Sequence, residues 1–345
     1  MSYKGFLLIG TAVTPVHPGS GRGLGVVDLT IQRDPLGYPL LFASSIKGAL
    51  KSMCIRKKVK SIESCIDKST GVALCGNKNC KDVNECCCLF GSEVGGEESQ
   101  QALVNVLDFI PLALPVPSVD KGYVYVSTPI LLRKSSLIAE ALGYEDISKL
   151  LHALASSLVG KSRDSGSIES VAVQLVAEKS DRIDIAGSTI NVSSINVKEI
   201  EKELNKLSEI MRSLGGLVET LIDKLVIVPD EIGPVVIDRA ILRVTRIRVR
   251  RDRKTAAERS LWTEEYIPTG TVFIGGLLVT PTNNKFCEDY DLGFGNNVDN
   301  LVAKTANMLR DILGGSQFYF IVGGKETVGK GLVKTYVYGL GDQKQ

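Results

Sequence analysis

Runs with the two-residue period of β-strands interleave along this chain with runs of helical period, and an all-α or all-β fold cannot accommodate that mixture. Strand patterns fall at 5–13, 26–33, 103–110, 171–177, 225–228, 235–249, 271–280, 317–322 and 332–338. Helical patterns fall at 137–159, 198–224 and 298–313, with a shorter helix at Ser45–Met53 for which Ser44 is the expected N-cap. The expectation is an α+β domain built on an antiparallel sheet. The 345 residues, 44% of them hydrophobic, suffice for a real core. Neither an internal repeat nor a low-complexity linker divides residues 1–345, so one domain is expected.

Some classes are excluded early. The richest apolar stretch, 103–119, contains Asp108 and three prolines, so it does not read as a membrane span. The short apolar run Phe6–Ile9 lacks the cationic flank and cleavage site of a signal peptide, and a cytoplasmic location is expected. The net charge of +2 does not by itself point to nucleic acid; only local clustering of basic groups would. Seven of the eight cysteines fall between Cys54 and Cys88, within a charged stretch, 55–88, that breaks the surrounding pattern and reads as an insertion. Zinc ligation, disulfides, or a surface insertion with idle thiols all remain open, because the spacings are not C-x-x-C knuckles.

Four constellations carry chemistry. Between two strand patterns lies Gly323-Gly324-Lys325-Glu326-Thr327-Val328-Gly329-Lys330-Gly331. Glycines let a backbone approach an anion closely, and Lys325 and Lys330 add charge. The order is not that of a P-loop and no helix follows, so a hairpin with solvated lysines is the competing reading. Ser44-Ser45-Ile46-Lys47-Gly48 opens a helix, where free N–H groups attract phosphate; an ordinary capped helix would look the same. Arg239–Arg259 holds nine basic against two acidic residues. In a strand, Arg246, Arg248 and Arg250 share one face, opposite Ile247 and Val249, with a hairpin tip at Lys254–Ala257 and a return arm at Leu261–Tyr266. Such a ribbon can follow a phosphate backbone, although most charge runs are solvated faces. Finally, His17 and Asp28 flank a glycine-rich loop and are candidates for one cleft, while Glu264 and Tyr266 share a strand face. A base near an RNA 2′-hydroxyl, or a carboxylate near a divalent ion, would suit strand cleavage; a satisfied polar edge residue and a loop histidine are the plain alternatives.

In this order, the motifs resemble the RAMP superfamily of CRISPR proteins. The resemblance rests on Pro15-Val16-His17-Pro18-Gly19-Ser20-Gly21 with Val27-Asp28-Leu29-Thr30-Ile31-Gln32-Arg33, on Ser44–Leu50 with Leu89-Phe90-Gly91, and on Gly323–Gly331. Thr128–Leu132 and Leu261–Pro268 make the chain similar to the nuclease subunit that forms the backbone of type III-B, or Cmr, effector complexes. The resemblance implies a modified ferredoxin-like, RRM-like core with inserted helical elements and a protruding thumb β-hairpin at 245–262. It implies binding of crRNA and target RNA, head-to-tail stacking with further copies of the chain, and contact with other Cmr subunits. It places guide contacts at Ser44, Ser45, Lys47, Gly323, Gly324, Lys325, Gly329 and Lys330, with the hairpin arginines Arg246, Arg248 and Arg250 beside the duplex. It makes Asp28 the cleavage residue, supported by His17, Glu264 and Tyr266, with Mg2+ or Mn2+ as cofactor. The 55–88 stretch has no counterpart in the motif pattern.

Three other readings stay open. A scaffold of the same superfamily would bind RNA without cutting and would not need Asp28. A guide-processing relative would centre on a histidine such as His17. A type III-A counterpart would share most motifs but not the Trp262-containing arm.

Overall fold

The computed structural model describes residues 4–23, 25–58, 65–69, 71, 73–77, 80–92, 99–157, 171–174, 182–194, 201–292 and 297–340. In chain order the strands are β1 (Lys4–Ala12), β2 (Gly19–Arg22), β3 (Leu29–Ile31), β4 (Val104–Val106), β5 (Ile110–Ser118), β6 (Gly122–Ser127), β7 (Val171–Gln174), β8 (Arg182–Ile185), β9 (Ser188–Ser194), β10 (Leu225–Ile227), β11 (Leu242–Val249), β12 (Ala256–Tyr266), β13 (Val272–Val279), β14 (Gln317–Ile321) and β15 (Leu332–Tyr338). The helices are α1 (Ala43–Lys58), α2 (Lys81–Phe90), α3 (Pro129–Ala141), α4 (Glu145–Ser156), α5 (Glu201–Leu214), α6 (Leu221–Lys224), α7 (Gly233–Ala240) and α8 (Val298–Leu313). The protein is thus mixed α+β.

The large sheet runs β14-β15-β1-β13-β5-β6-β10-β7-β9-β8, with β4 also paired to β13; β11-β12-β3-β2 form a second, smaller sheet. Strand β1 explains why its sequence alternates only weakly. Phe6 and Leu8 join one apolar cluster with Ile46 and Leu50 of α1 and Leu309 of α8, while Leu7 and Ile9 join another with Leu132 of α3 and Leu150 of α4. A strand covered on both faces needs apolar residues at every position. Each such buried side chain contributes about 1.5–3 kcal/mol relative to an exposed one. On β13, Gly275 makes room for a ring, because a Cβ there would lie 2.3 Å from Phe109 Cδ1.

Strand β5 carries three prolines and still belongs to the sheet. Its first residues pair with β13 around a register shift, and Leu114–Ser118 pair with β6. Because it changes partner midway, a residue lacking an N–H can face the unpaired side.

Several expectations need correction. The run 235–249 is a strand only from Leu242; before it, Gly233–Ala240 is helical, with Pro234 in the first turn, where its missing N–H costs nothing. The 137–159 pattern is the end of α3 followed by a separate helix α4. Strand 26–33 shrinks to Leu29–Ile31, which leaves Asp28 just before it. Ser44 is not the N-cap but lies in the first turn of α1, whose opening N–H, that of Ala43, donates to Asp108 Oδ1 at 2.6 Å. Residues 158–159, 175–177 and 198–200 of the expected elements lie outside the described residues.

Among the described residues, the cysteine stretch is not a surface appendage. It begins within α1, and Cys54, Cys65, Cys80, Cys86, Cys87 and Cys88 are buried in the main core. Four disulfides, Cys54–Cys86, Cys65–Cys80, Cys75–Cys87 and Cys88–Cys287, use every cysteine and leave no thiolate for zinc. Lys58 adds an ionic tie, bonding Glu85 of α2 at 2.6 Å and Asp311 of α8.

Candidate nucleic-acid interface

Alternation along β12 places Trp262, Glu264 and Tyr266 on one face. Glu264 is 2% exposed, which an ionised carboxylate tolerates only when its oxygens are bonded. Trp262 Nε1 donates to Oε1 at 2.6 Å, Tyr266 Oη donates to Oε2, Lys325 Nζ lies 2.7 Å from Oε1, and Arg246 Nε lies 3.5 Å from Oε2. Burial pushes the Glu264 carboxyl up, but the bonds from Lys325, Tyr266 and Trp262 outweigh it and bring the pKa down to about 2. Burial and then the hydrogen bond to Glu264 raise the Tyr266 phenol. These groups are therefore a locked ion cluster at the base of the hairpin.

The glycine loop, residues 322–331, closes over this cluster. Gly323 has φ +86°, and a Cβ there would meet His17 O at 2.5 Å, so a side chain would break the contact. Gly324 N donates to His17 O at 2.8 Å, and Gly331 N donates to Pro15 O at 3.0 Å. Lys325, with φ +67°, sends its ammonium inward to Glu264; Lys330 Nζ lies 5.3 Å from the Tyr266 ring centre; Gly329 has φ +74° and is exposed. His17 itself is buried, its Nδ1 is 2.7 Å from Glu265 O, and its ring is 5.4 Å from that of Tyr266. It packs under the loop.

A cleft of about 690 Å³ opens where these pieces meet. Its lining includes His17, Arg22, Ser45, Gly323, Gly324 and Lys325, so helix α1 and the glycine loop, 278 residues apart at Ser45 and Gly323 (323 − 45), share one concave surface. Ser44 is exposed one residue earlier, and Lys47 is half-buried at the start of the second turn.

Asp28 stands apart. It is exposed and engages Thr263: Thr263 N donates to Oδ2 at 2.8 Å, Thr263 Oγ1 lies 3.0 Å from the same oxygen, and Asp28 N donates to Thr263 Oγ1 at 3.0 Å. The Thr263 backbone and side-chain bonds hold its carboxyl below the usual range. Thr263 and Glu264 are adjacent on a strand, so their side chains point to opposite faces. Among the described residues no hydrogen bond joins Asp28 to His17, Glu264 or Tyr266, and Asp28 does not line the cleft. The four expected catalytic residues are thus two groups: an exposed carboxylate, and a buried cluster behind it.

The basic ribbon is a real hairpin whose arms, β11 and β12, pair from Leu242↔Tyr266 to Val249↔Ala256. The turn is at Arg250–Thr255, earlier than expected, closed by Arg250 N to Thr255 O at 2.8 Å. Arg246 turns toward the Glu264 cluster, Arg248 is exposed, and Arg250 bonds Asp252 through Nη2 at 2.7 Å.

Two sets of residues escaped sequence reasoning. Glu265, 4% exposed, accepts from Arg33, Arg243 and the Ile31 N–H, while Asp238 accepts from Arg243 and pairs with Arg33 at 3.0 Å. This network ties β3 to the hairpin. Thr263 is the other. Of the first set only Arg243 lies in the basic stretch Arg239–Arg259, its acidic partners Asp238 and Glu265 falling outside it, and nothing local signals the second.

Among the described residues, no three His, Cys, Asp or Glu side chains come together as a metal site. Asp28 Oδ1 is the one cleavage-candidate oxygen without a described partner.

The sequence model of the RAMP superfamily matches residues 10–334. A Saccharolobus solfataricus protein named CRISPR system CMR subunit Cmr4 is 29% identical over 339 residues, covering 94% of this chain and 93% of its own. The Pyrococcus furiosus CRISPR system Cmr endoribonuclease Cmr4 is 26% identical, covering 96% and 95%. A chain of the type III-B Cmr-beta complex bound to cognate target RNA superposes with a TM-score of 0.64 at 25% identity over 98% of both chains. Oligomeric Cmr4 from Pyrococcus furiosus superposes at 0.56, with 22% identity over 99% and 100%.

Proposed function

The chain belongs to the RAMP superfamily, and from that premise we propose that it is a crRNA-binding backbone subunit of a type III-B CRISPR effector complex that cuts complementary target RNA. The observation that carries the reading is the shared cleft, which gathers Ser45 of α1, Gly323, Gly324 and Lys325 of the glycine loop and Arg22 of β2 on one groove, where the glycines leave room for a strand backbone and Arg22 adds charge. Backbone amides and scattered lysines read phosphates rather than bases, as suits a subunit that leaves sequence recognition to pairing. The fold reading follows the strand order. β1 lies between β13 and β15, β5 lies beside β13, and α1 and α8 cover the same face, which supports a modified ferredoxin-like core. The β11–β12 hairpin is then the thumb. The relatives' names, which speak of a Cmr complex with cognate target RNA and of an oligomeric Cmr4, support target RNA, other Cmr subunits and further copies of the chain as partners; guide RNA and head-to-tail stacking are proposed with them.

Asp28 is proposed as the cleavage residue. Its carboxylate is exposed, and the Thr263 bonds that hold its pKa below the usual range make it a weak base, which suits electrostatic and positioning work better than proton abstraction. Mg2+ or Mn2+ is proposed as cofactor and would supply charge neutralisation at the scissile phosphate. This chain would offer it Asp28 Oδ1, with phosphate oxygens and water as the remaining ligands, a sparse protein share usual for Mg2+. Glu264, Tyr266 and His17 hold the hairpin base and the loop in place.

The test assembles the chain with guide RNA and partner subunits and adds labelled complementary RNA with Mg2+ or Mn2+. Asp28→Asn should bind target as wild type does and cut at least about 100-fold more slowly. A mutant that cuts at the wild-type rate places the active site elsewhere. If both proteins hold the target and neither cuts it, the chain is a scaffold.

A further inference from the structure

Gly23 and residues 25–28 belong to the outer tip of the β2–β3 hairpin, and among the described residues few hydrogen bonds hold them. Gly23 N donates to Asp28 O at 2.9 Å, closing the tip on itself. The body of the protein grips it through Thr263, which makes three contacts with Asp28 and brings its Oγ1 within 3.1 Å of Val26 O. A hydroxyl has one proton to give. Between Val26 O and the ionised Asp28 Oδ2, the charged acceptor makes the stronger bond. Thr263 therefore grips Oδ2 from two donors, its own N–H and O–H, while its Oγ1 lone pair takes the Asp28 N–H. Oδ2 is occupied, and Oδ1 is left without a partner among the described residues.

We propose that Thr263 is a positioning residue that clamps Asp28 to the hairpin strand, fixing the rotamer in which Oδ1 alone is presented to the target RNA. The inference rests on the reading of Asp28 as the cleavage residue. The clamp spans 235 residues of sequence and joins two surface segments, so its effect should fall on cleavage rather than on folding. It also couples the site to the hairpin: whatever moves β12 moves Asp28.

The experiment uses the assembled complex with saturating labelled target RNA and Mg2+, comparing wild type, Thr263→Val, Thr263→Ser and Asp28→Asn. Valine keeps the shape and the N–H but removes the hydroxyl; serine keeps the hydroxyl. Thr263→Val should cleave bound target about 10- to 100-fold more slowly with target affinity unchanged. Thr263→Ser should recover to within about 3-fold of wild type, because the donor and acceptor return. In parallel, amide hydrogen exchange of peptides covering residues 19–31 should quicken in Thr263→Val and return to the wild-type rate in Thr263→Ser. Cleavage by Thr263→Val at the wild-type rate, while Asp28→Asn is inactive, overturns the clamp and leaves the active site standing. Equal slowing by Val and Ser also overturns it, since that marks a packing role. If Asp28→Asn itself cuts normally, the site reading fails, and hydrogen exchange decides the clamp alone: quickened exchange in Val but not Ser upholds it, and unchanged exchange overturns it.

Discussion

The two sheets of this protein are held together by different physics. In the large sheet, every residue of β1 after Lys4 is buried, and among the eight residues of β13 only Leu278 is even half-buried. Apolar clusters cover both faces, and on one side Cys54–Cys86 ties α1 to α2 while three further disulfides tie other segments to α2 or to the residue before it. In the small sheet, β2 is exposed throughout and β11 nearly so, and order comes from two buried glutamates, each ringed by cations or donors. The difference teaches where stability and function lie. Apolar burial offers no charge to screen or titrate, whereas ion clusters offer both. Perturbations should therefore separate the two sheets, and three of them test how cleanly.

The largest effect should come from reduction of the disulfides. Cys88–Cys287 bridges a sequence separation of 199 residues. On the chain-entropy account, closing so long a loop stabilises the fold by about 5 kcal/mol. Denaturant unfolding with and without reductant, and of a Cys88→Ser/Cys287→Ser pair, should show a large fall in midpoint while hairpin amides keep their native exchange rates. Free thiols found in the oxidised, unfolded protein would break the comparison at its root.

An intermediate effect is expected at Glu264. Replacing it with Gln leaves Lys325 and Arg246, 32% and 40% exposed at the side chain, facing a neutral amide. Because these partners still reach water, the cost should be about 2 kcal/mol, below that of a fully buried pair. The pH dependence has a definite sign. The folded pKa, about 2, lies below the ordinary 4.5, so the contribution is complete above pH 4.5 and is lost as pH falls toward 2. The gap in melting temperature between wild type and Glu264→Gln should close over that window. A gap that stays constant down to pH 2 would mean that the carboxylate charge is not what holds the cluster.

What was legible from sequence divides along the same line. Strands 317–322 and 332–338, the glycine loop between them, and the shared face of Glu264 and Tyr266 all follow from local period, and local period survived folding. Helix α7 is masked in the sequence because Val235-Val236 and Ile237 look strand-like, although Pro234 in its first turn is a helix-start signal. The grouping of the site was not legible. Register alone puts Thr263 beside Asp28 and turns Glu264 to the other face, and register between segments 235 residues apart is set by the whole core. The disulfide pairing was hidden for the same reason, since Cys88 and Cys287 are 199 residues apart and no local pattern marks them as partners.

The smallest effect on stability should come from the hairpin arginines, where the comparison can be sharpened within one strand. Arg248 is exposed and has no ion-pair partner among the described residues, while Arg250 gives two bonds to Asp252, at 3.1 and 2.7 Å. Both replacements by Ala should leave stability within about 0.5 kcal/mol, as for surface residues generally. Their effects on RNA should differ. A free guanidinium that neutralises a phosphate releases a counterion, so Arg248→Ala should lower the slope of log affinity against log salt by about 0.7. Arg250 already has an anion beside it, and RNA would have to displace Asp252 to gain the contact. Arg250→Ala should therefore change the slope less, and Asp252→Asn should strengthen binding by freeing Arg250. Filter binding across a salt series reads all three. Equal slopes for Arg248→Ala and wild type would remove the hairpin from the RNA path and return its charge to solvent.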